Sequence, residues 1–167
     1  MKHICCILII LFSVCGFAQA GKDLEFIIAC DKDKYTTKES ISMNFTLKNK
    51  GKSDIFVNKR FYLNSETALQ DARDMYLIVT APEGAKLEYT RPSDDTGFPR
   101  TGDFALLKPG EEASIDRKRA ISNNFDFKKP GKYKIMGVYH NKFGREIGID
   151  ACTDKIESNP LTIEIIE

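Results

Sequence analysis

From Ser40 to Lys48 the chain alternates without interruption: Ile41, Met43, Phe45 and Leu47 fall on one side of an extended segment, and Ser42, Asn44, Thr46 and Lys48 on the other. That period of two belongs to a strand with one dry and one wet face, and a helix cannot present it as a single apolar stripe. The pattern recurs at Leu24, Phe26 and Ile28, at Met75, Leu77 and Val79, and at Leu161, Ile163 and Ile165. Tyr76 and Ile78 make the second face of the Met75 strand apolar too, as expected of a strand covered on both sides. Turn-forming residues punctuate these runs, as in Ala81-Pro82-Glu83-Gly84 and Lys108-Pro109-Gly110-Glu111. Across Asn49 to Asp54 they predict a hairpin that brings Ile55 to Val57 back against the Ser40 strand. A short strand over Lys86 to Thr90, a basic strand over Ala113 to Ile121 and a helical turn within residues 65–73 complete the expectation. The chain reads as all-β and antiparallel, with no long helix.

The ends of the chain bound what such a fold has to work with. Residues 1–20 read as a signal peptide: Lys2 supplies the basic start, Ile4 to Val14 the apolar run, and Ala18-Gln19-Ala20 a small-x-small cleavage site. Cys15 offers an alternative site for acylation, but the bulky Val14 before it does not suit lipoprotein processing. Residues 21–167 then form one domain, with no further apolar run long enough to span a bilayer. Of the 25 basic residues only Lys2 leaves with the leader, so the mature chain matches its 24 acidic residues with as many basic ones. This balance gives no global attraction to nucleic acid. Export to the periplasm or beyond is expected.

Three of the five cysteines lie in the leader, and Cys30 and Cys152 remain. In an oxidising compartment two thiols pair in one way, so a Cys30–Cys152 disulfide is expected. It would close about 120 residues of chain, a constraint valued at ~4–5 kcal/mol by loop entropy.

No catalytic, cofactor-binding or metal-binding set emerges. His140 is the one imidazole left after cleavage, which excludes a His-x-x-x-His zinc pair. Asp31 and Asp33 begin like a calcium loop but lack its glycine and distal glutamate, so they read as solvated turn residues. Arg117, Lys118 and Arg119, with Lys128 and Lys129 near in sequence, form a small basic patch that reads as a solvated strand face. The recognition surface expected from sequence is the loop from Arg91 to Asp103, rich in Pro, Gly and Asp, with Arg91, Phe98 and Arg100 as candidate partner-binding residues. Phe98, its one aromatic, either projects as an anchor or tucks back to hold the loop down.

In Phe125-Asp126-Phe127-Lys128-Lys129-Pro130-Gly131-Lys132-Tyr133 a Pro-Gly turn leads into a strand where Tyr133, Ile135, Gly137 and Tyr139 share a face. This resembles the tyrosine corner of immunoglobulin-like sandwiches, with Tyr133 as the corner residue. The fold expected is therefore an antiparallel immunoglobulin-like β-sandwich of about seven to nine strands.

The order Tyr35-x-x-x-Glu39, Leu47-Lys48-Asn49, Phe104 to Glu111 and Pro130-Gly131-Lys132-Tyr133 resembles the N-terminal β-sandwich domain of deuterolysin-type zinc endopeptidases over roughly residues 23–140. That family's His-Glu-x-x-His helix has no counterpart, so the resemblance implies an accessory domain without peptidase activity. Thr96-Gly97-Phe98 is similar to part of the inhibitory loop of chagasin-like cysteine protease inhibitors, without its asparagine. Together these readings give an exported, non-catalytic binding module with a protein or cell-envelope partner and no cofactor. The alternative is a peptidase inhibitor acting through residues 91–103.

Overall fold

The computed structural model describes residues 20–67, 74–91 and 97–167, and the chain is all-β. Apart from one helical turn, Ala20–Asp23, and three 3-10 turns, regular structure among the described residues is strand. The long strands are β1 (Leu24–Cys30), β3 (Ser42–Asn49), β4 (Ile55–Asn58), β6 (Met75–Thr80), β7 (Phe104–Leu107), β10 (Gly131–Tyr139) and β12 (Leu161–Ile166). Five more have two or three residues: β2 (Lys34–Thr36), β5 (Leu63–Asn64), β8 (Glu112–Ser114), β9 (Arg119–Ala120) and β11 (Ile156–Glu157).

One sheet has the order β1-β3-β8, with β9 also on β3; a larger one runs β2-β12-β10-β6-β5, with β11 on β10; β4 and β7 pair by themselves. Pairing is mostly antiparallel, but β2 lies parallel to β12 and β5 parallel to β6, so the larger sheet is mixed. The alternation in the sequence decides what faces inward. Along β3 every second residue from Met43 is buried, and Phe26, Ile28, Phe45 and Leu47 meet Val79, Tyr133, Ile135 and Ile163 in one core.

The two sheets approach each other closely at Gly137. A methyl group there would lie 2.7 Å from a ring carbon of Phe26 and 2.9 Å from Ile28 Cγ2, too near for real atoms. Phe26 also stacks on Phe45 and meets Tyr139 at 6.1 Å, so the missing side chain lets the aromatic layer settle onto β10. At the other end of β10 the Tyr133 hydroxyl donates to the Lys129 carbonyl at 2.9 Å, fastening the turn that starts the strand. Gly131 in that turn has φ 135° and packs on Pro82, where a side chain would be both strained and obstructed.

Three sequence expectations are corrected. Ile55 to Val57 does not pair back on β3, because both edges of β3 are occupied, by β1 and by β8 and β9; β4 pairs with β7 instead. The buried Asn49 enforces this by donating to the carbonyls of Ser53 and Leu107 at 2.8 Å each. Lys86 to Thr90 forms one bridge, Lys86 to Thr80, and no strand. The helical turn expected within 65–73 falls largely outside the described residues.

The Cys30–Cys152 disulfide is the third: both are free thiols. Cys30 lies against Tyr35, which pairs through Ile165 to Gly131 at the start of β10. Cys152 lies beyond the end of that strand, where its carbonyl accepts from Asn141. A nine-residue strand rising ~3.3 Å per residue separates them by on the order of 20 Å, whereas bridged cysteines need Cα atoms within about 7 Å. Burial pushes each thiol from its ordinary 9.0 up to about 11.

Gly137→Ala is expected to lower unfolding free energy by ~1–3 kcal/mol in urea denaturation, as overpacking does. A thiol reagent at pH 8 should label native protein slowly and the unfolded mature chain at both cysteines, and reductant should leave the melting temperature unchanged. Because the folded thiols hold their protons more tightly, their contribution to stability is complete below pH 9 and is lost as pH rises toward 11.

Candidate functional site

Functional geometry concentrates where the segment from Asn58 to Tyr62 leaves β4. Phe61 there has φ 51°, a left-handed conformation that costs a non-glycine residue ~1–3 kcal/mol. Its ring is fully buried and stacks on Phe45 at 6.5 Å, which drives Phe61 inward while Arg60 and Tyr62 stay half-buried. The left-handed turn thus places Phe61 in the core between Tyr62, which is half-buried, and Arg60, whose side chain is covered by the network beneath it.

Beneath Arg60 lies a buried polar network. Asp74, fully buried, accepts from Arg60 Nη2 at 2.8 Å, Arg60 Nε at 3.1 Å, Asn58 Nδ2 at 2.9 Å and the Tyr62 amide at 3.2 Å. Burial pushes the Asp74 carboxyl up, and Arg60, the Tyr62 amide and Asn58 hold it down. Asn58 also donates to Asn141, whose own amide donates to the carbonyls of Phe143 and Cys152. The Tyr139 hydroxyl accepts from the Asn58 amide at 3.0 Å. A carboxylate out of water needs this number of donors to stay ionised.

Arg60 carries the network outward. Its guanidinium lies over the rings of Tyr62, at 4.7 Å, and Phe143, at 5.3 Å, and Nη1 donates to the Gly97 carbonyl at 3.1 Å. Phe143 in turn meets Phe98 edge to face at 5.8 Å. The described part of the 91–103 loop is therefore tied to the core at Gly97, while Phe98 remains 75% exposed. Phe98 thus combines both features open to it, resting one edge on Phe143 while most of its surface stays exposed. Arg100 is exposed and its amide is held by the Asp103 carboxylate at 2.7 Å. Residues 92–96 of the loop lie outside the described residues.

Beside this tie opens a cleft of about 720 Å³. One wall is the basic strand expected over Ala113 to Ile121, which is interrupted. Ser114 faces Thr46, the Ile115 amide donates to the Phe45 carbonyl at 3.0 Å and Arg119 faces Met43, so residues 116–118 oppose only Asn44 and bulge from the sheet. Such a bulge re-aims side chains, and Arg117, Lys118 and Arg119 line the cleft with Arg91, Lys59 and Arg60 opposite. The Lys59 amide donates to the Asp103 carbonyl at 2.8 Å, joining the far wall to the base of the loop.

The structure thus brings Arg91 together with the Arg117–Arg119 patch, a juxtaposition the sequence did not disclose. Lys128 and Lys129, grouped with that patch by proximity in sequence, belong elsewhere, paired with Asp126 and Glu83 at 2.9 and 2.8 Å. Lys59, Arg60 and Asp74 were missed. One signal was present for Asp74: an acidic residue directly before a strand apolar on both faces must find buried donors. His140 is half-buried and its amide donates to the Asp74 carbonyl. Among the described residues no three His, Cys, Asp or Glu side chains are grouped to hold a metal ion, and no helix is long and apolar enough to cross a membrane. The chain matches no protein-family model, and comparison with curated proteins returns no significant similarity.

Arg60→Ala should destabilise the fold by ~3–5 kcal/mol at neutral pH, the cost of leaving the Asp74 charge buried without its partner. A carboxyl raised by burial favours the fold when protonated, so the deficit should shrink in denaturation at acid pH and grow as pH rises through the folded value.

Proposed function

We propose that the protein is an exported, non-catalytic binding module built on an immunoglobulin-like sandwich, which recognises a protein partner through the loop carrying Phe98. The single observation behind this reading is Phe98 itself: a large aromatic, 75% exposed, on a loop whose base is fixed to a buried ion pair. A rigid aromatic held out from a scaffold loses little entropy on binding and is the residue type that most often dominates interface energy. The seven longer strands, the two facing sheets and the Tyr133–Lys129 hydrogen bond support the immunoglobulin-like assignment. The likeness to a deuterolysin accessory domain accords with a recognition role.

Non-catalytic action is supported by the state of the thiols, since burial keeps both of them protonated at physiological pH and makes them poor nucleophiles. Export rests on the leader pattern, with Gly21 as the first residue of the mature chain. The inhibitor reading shares the projecting Phe98, inserted in that case into a peptidase cleft.

The test compares wild type with Phe98→Ala, both crosslinked in the exported fraction and titrated against cysteine, serine and metallopeptidases. The variant should keep the wild-type melting temperature and lose a partner that wild type captures, and intact mass should place the mature start at Gly21. Inhibition of one peptidase class that Phe98→Ala abolishes would select the inhibitor reading, whereas an unchanged partner profile would remove the loop from recognition.

A further inference from the structure

The bulged edge of the smaller sheet makes a second site, independent of the Phe98 reading. Five cations of the cleft, Lys59, Arg91, Arg117, Lys118 and Arg119, form no ion pair with a described carboxylate. Other cations such as Lys38, Lys52 and Lys132 are also without one, and what sets these five apart is that they line a single concavity. Arg60, the sixth cation, is already neutralised by Asp74. Asp103 and Asp116 on the same walls, and Asp31 acting on Lys118, offset part of the charge of the five, but the cations outnumber them, and the remaining positive potential is one that an anionic ligand relieves.

Three features narrow the ligand. The volume, about 720 Å³, is enough to take a small molecule. Apolar lining is slight, Ile115, Ala120 and the ring of Tyr62 among mainly polar groups, so burial of hydrocarbon is not the driving force. Asp103 and Asp116 also line the walls, with Ser114 and Asn123. Carboxylates would repel a continuous phosphate backbone, yet they accept hydrogen bonds from hydroxyls. One Asp103 oxygen is already taken by the Arg100 amide at 2.7 Å, so its second oxygen and the Asp116 carboxylate are the acceptors left for a ligand. Cations and acceptors interleaved in one small cleft complement a compact molecule bearing both acid groups and hydroxyls. We infer that the cleft binds an acidic saccharide, a sugar carrying carboxylate or phosphate, with Arg117, Lys118, Arg119 and Arg91 holding the acid groups and Asp103 and Asp116 the hydroxyls.

Calorimetric titration of the mature protein tests this with trigalacturonate, glucose 6-phosphate, neutral galactotriose, tetraglutamate and a short single-stranded DNA. Saturable binding of trigalacturonate identifies a sugar carboxylate, and of glucose 6-phosphate a sugar phosphate; either supports the inference if at least about tenfold tighter than galactotriose and weakened by salt. Arg117→Ser with Lys118→Ser, both exposed and outside the core, should keep the melting temperature and lose affinity by at least about tenfold. Phe98→Ala should bind as wild type does, which separates this site from the loop. The inference is overturned if neither acidic saccharide binds saturably, if tetraglutamate or DNA binds as tightly, or if the Arg117/Lys118 variant binds like wild type.

Discussion

The architecture depends on the contact of Phe26 and Ile28 with the bare backbone at Gly137. Two sheets ordinarily pack ~10 Å apart because side chains from both fill the gap. At Gly137 one strand contributes no side chain, and Phe26 and Phe45 of the facing sheet, with Phe61 and with Tyr139 two residues along the same strand, form an aromatic layer over the gap. With the ring of Phe26 fixed, Tyr139 is fixed beside it, and the Tyr139 hydroxyl reaches Asn58. A void in one strand thereby determines where a polar network begins.

That network converts a core position into a surface one. Asp74 could not be buried alone, and Arg60 is drawn inward to meet it, with both aromatic faces of its neighbours covering the guanidinium. The outermost nitrogen then grips the Gly97 carbonyl. Core packing, a buried charge pair and a loop anchor form one chain of contacts, and Phe61 bears the backbone strain that the sharp change of direction requires. The loop owes its position to the interior rather than to its own composition.

Much of the strand pattern was legible because alternation reports burial directly: every second residue of β1 from Leu24 to Ile28 and of β3 from Met43 is buried, as the pattern required. Partner choice was not, since two strands separated by a turn can pair with each other or diverge. Asn49 chose divergence through two side-chain hydrogen bonds that no periodicity encodes. The disulfide failed for a related reason, because two cysteines by count reveal nothing of the strand between them. For the site, Arg91, Phe98 and the Arg117–Arg119 run were visible as residue types in exposed sequence. Their grouping depended on the bulge opposite Asn44 and on Lys59, which lies far from them along the chain.

The interruption between β8 and β9 also bears on how copies of this protein meet. It lies on the outermost strand of the smaller sheet, where an unbroken row of amide and carbonyl groups would offer a template for another chain to extend the sheet. Three residues that leave the ladder, Asp116, Arg117 and Lys118, spoil that template in register, and all three are charged, which disfavours an added strand. The irregularity that shapes a pocket is in the same stroke a safeguard against aggregation, so smoothing it into a regular strand would trade solubility for order.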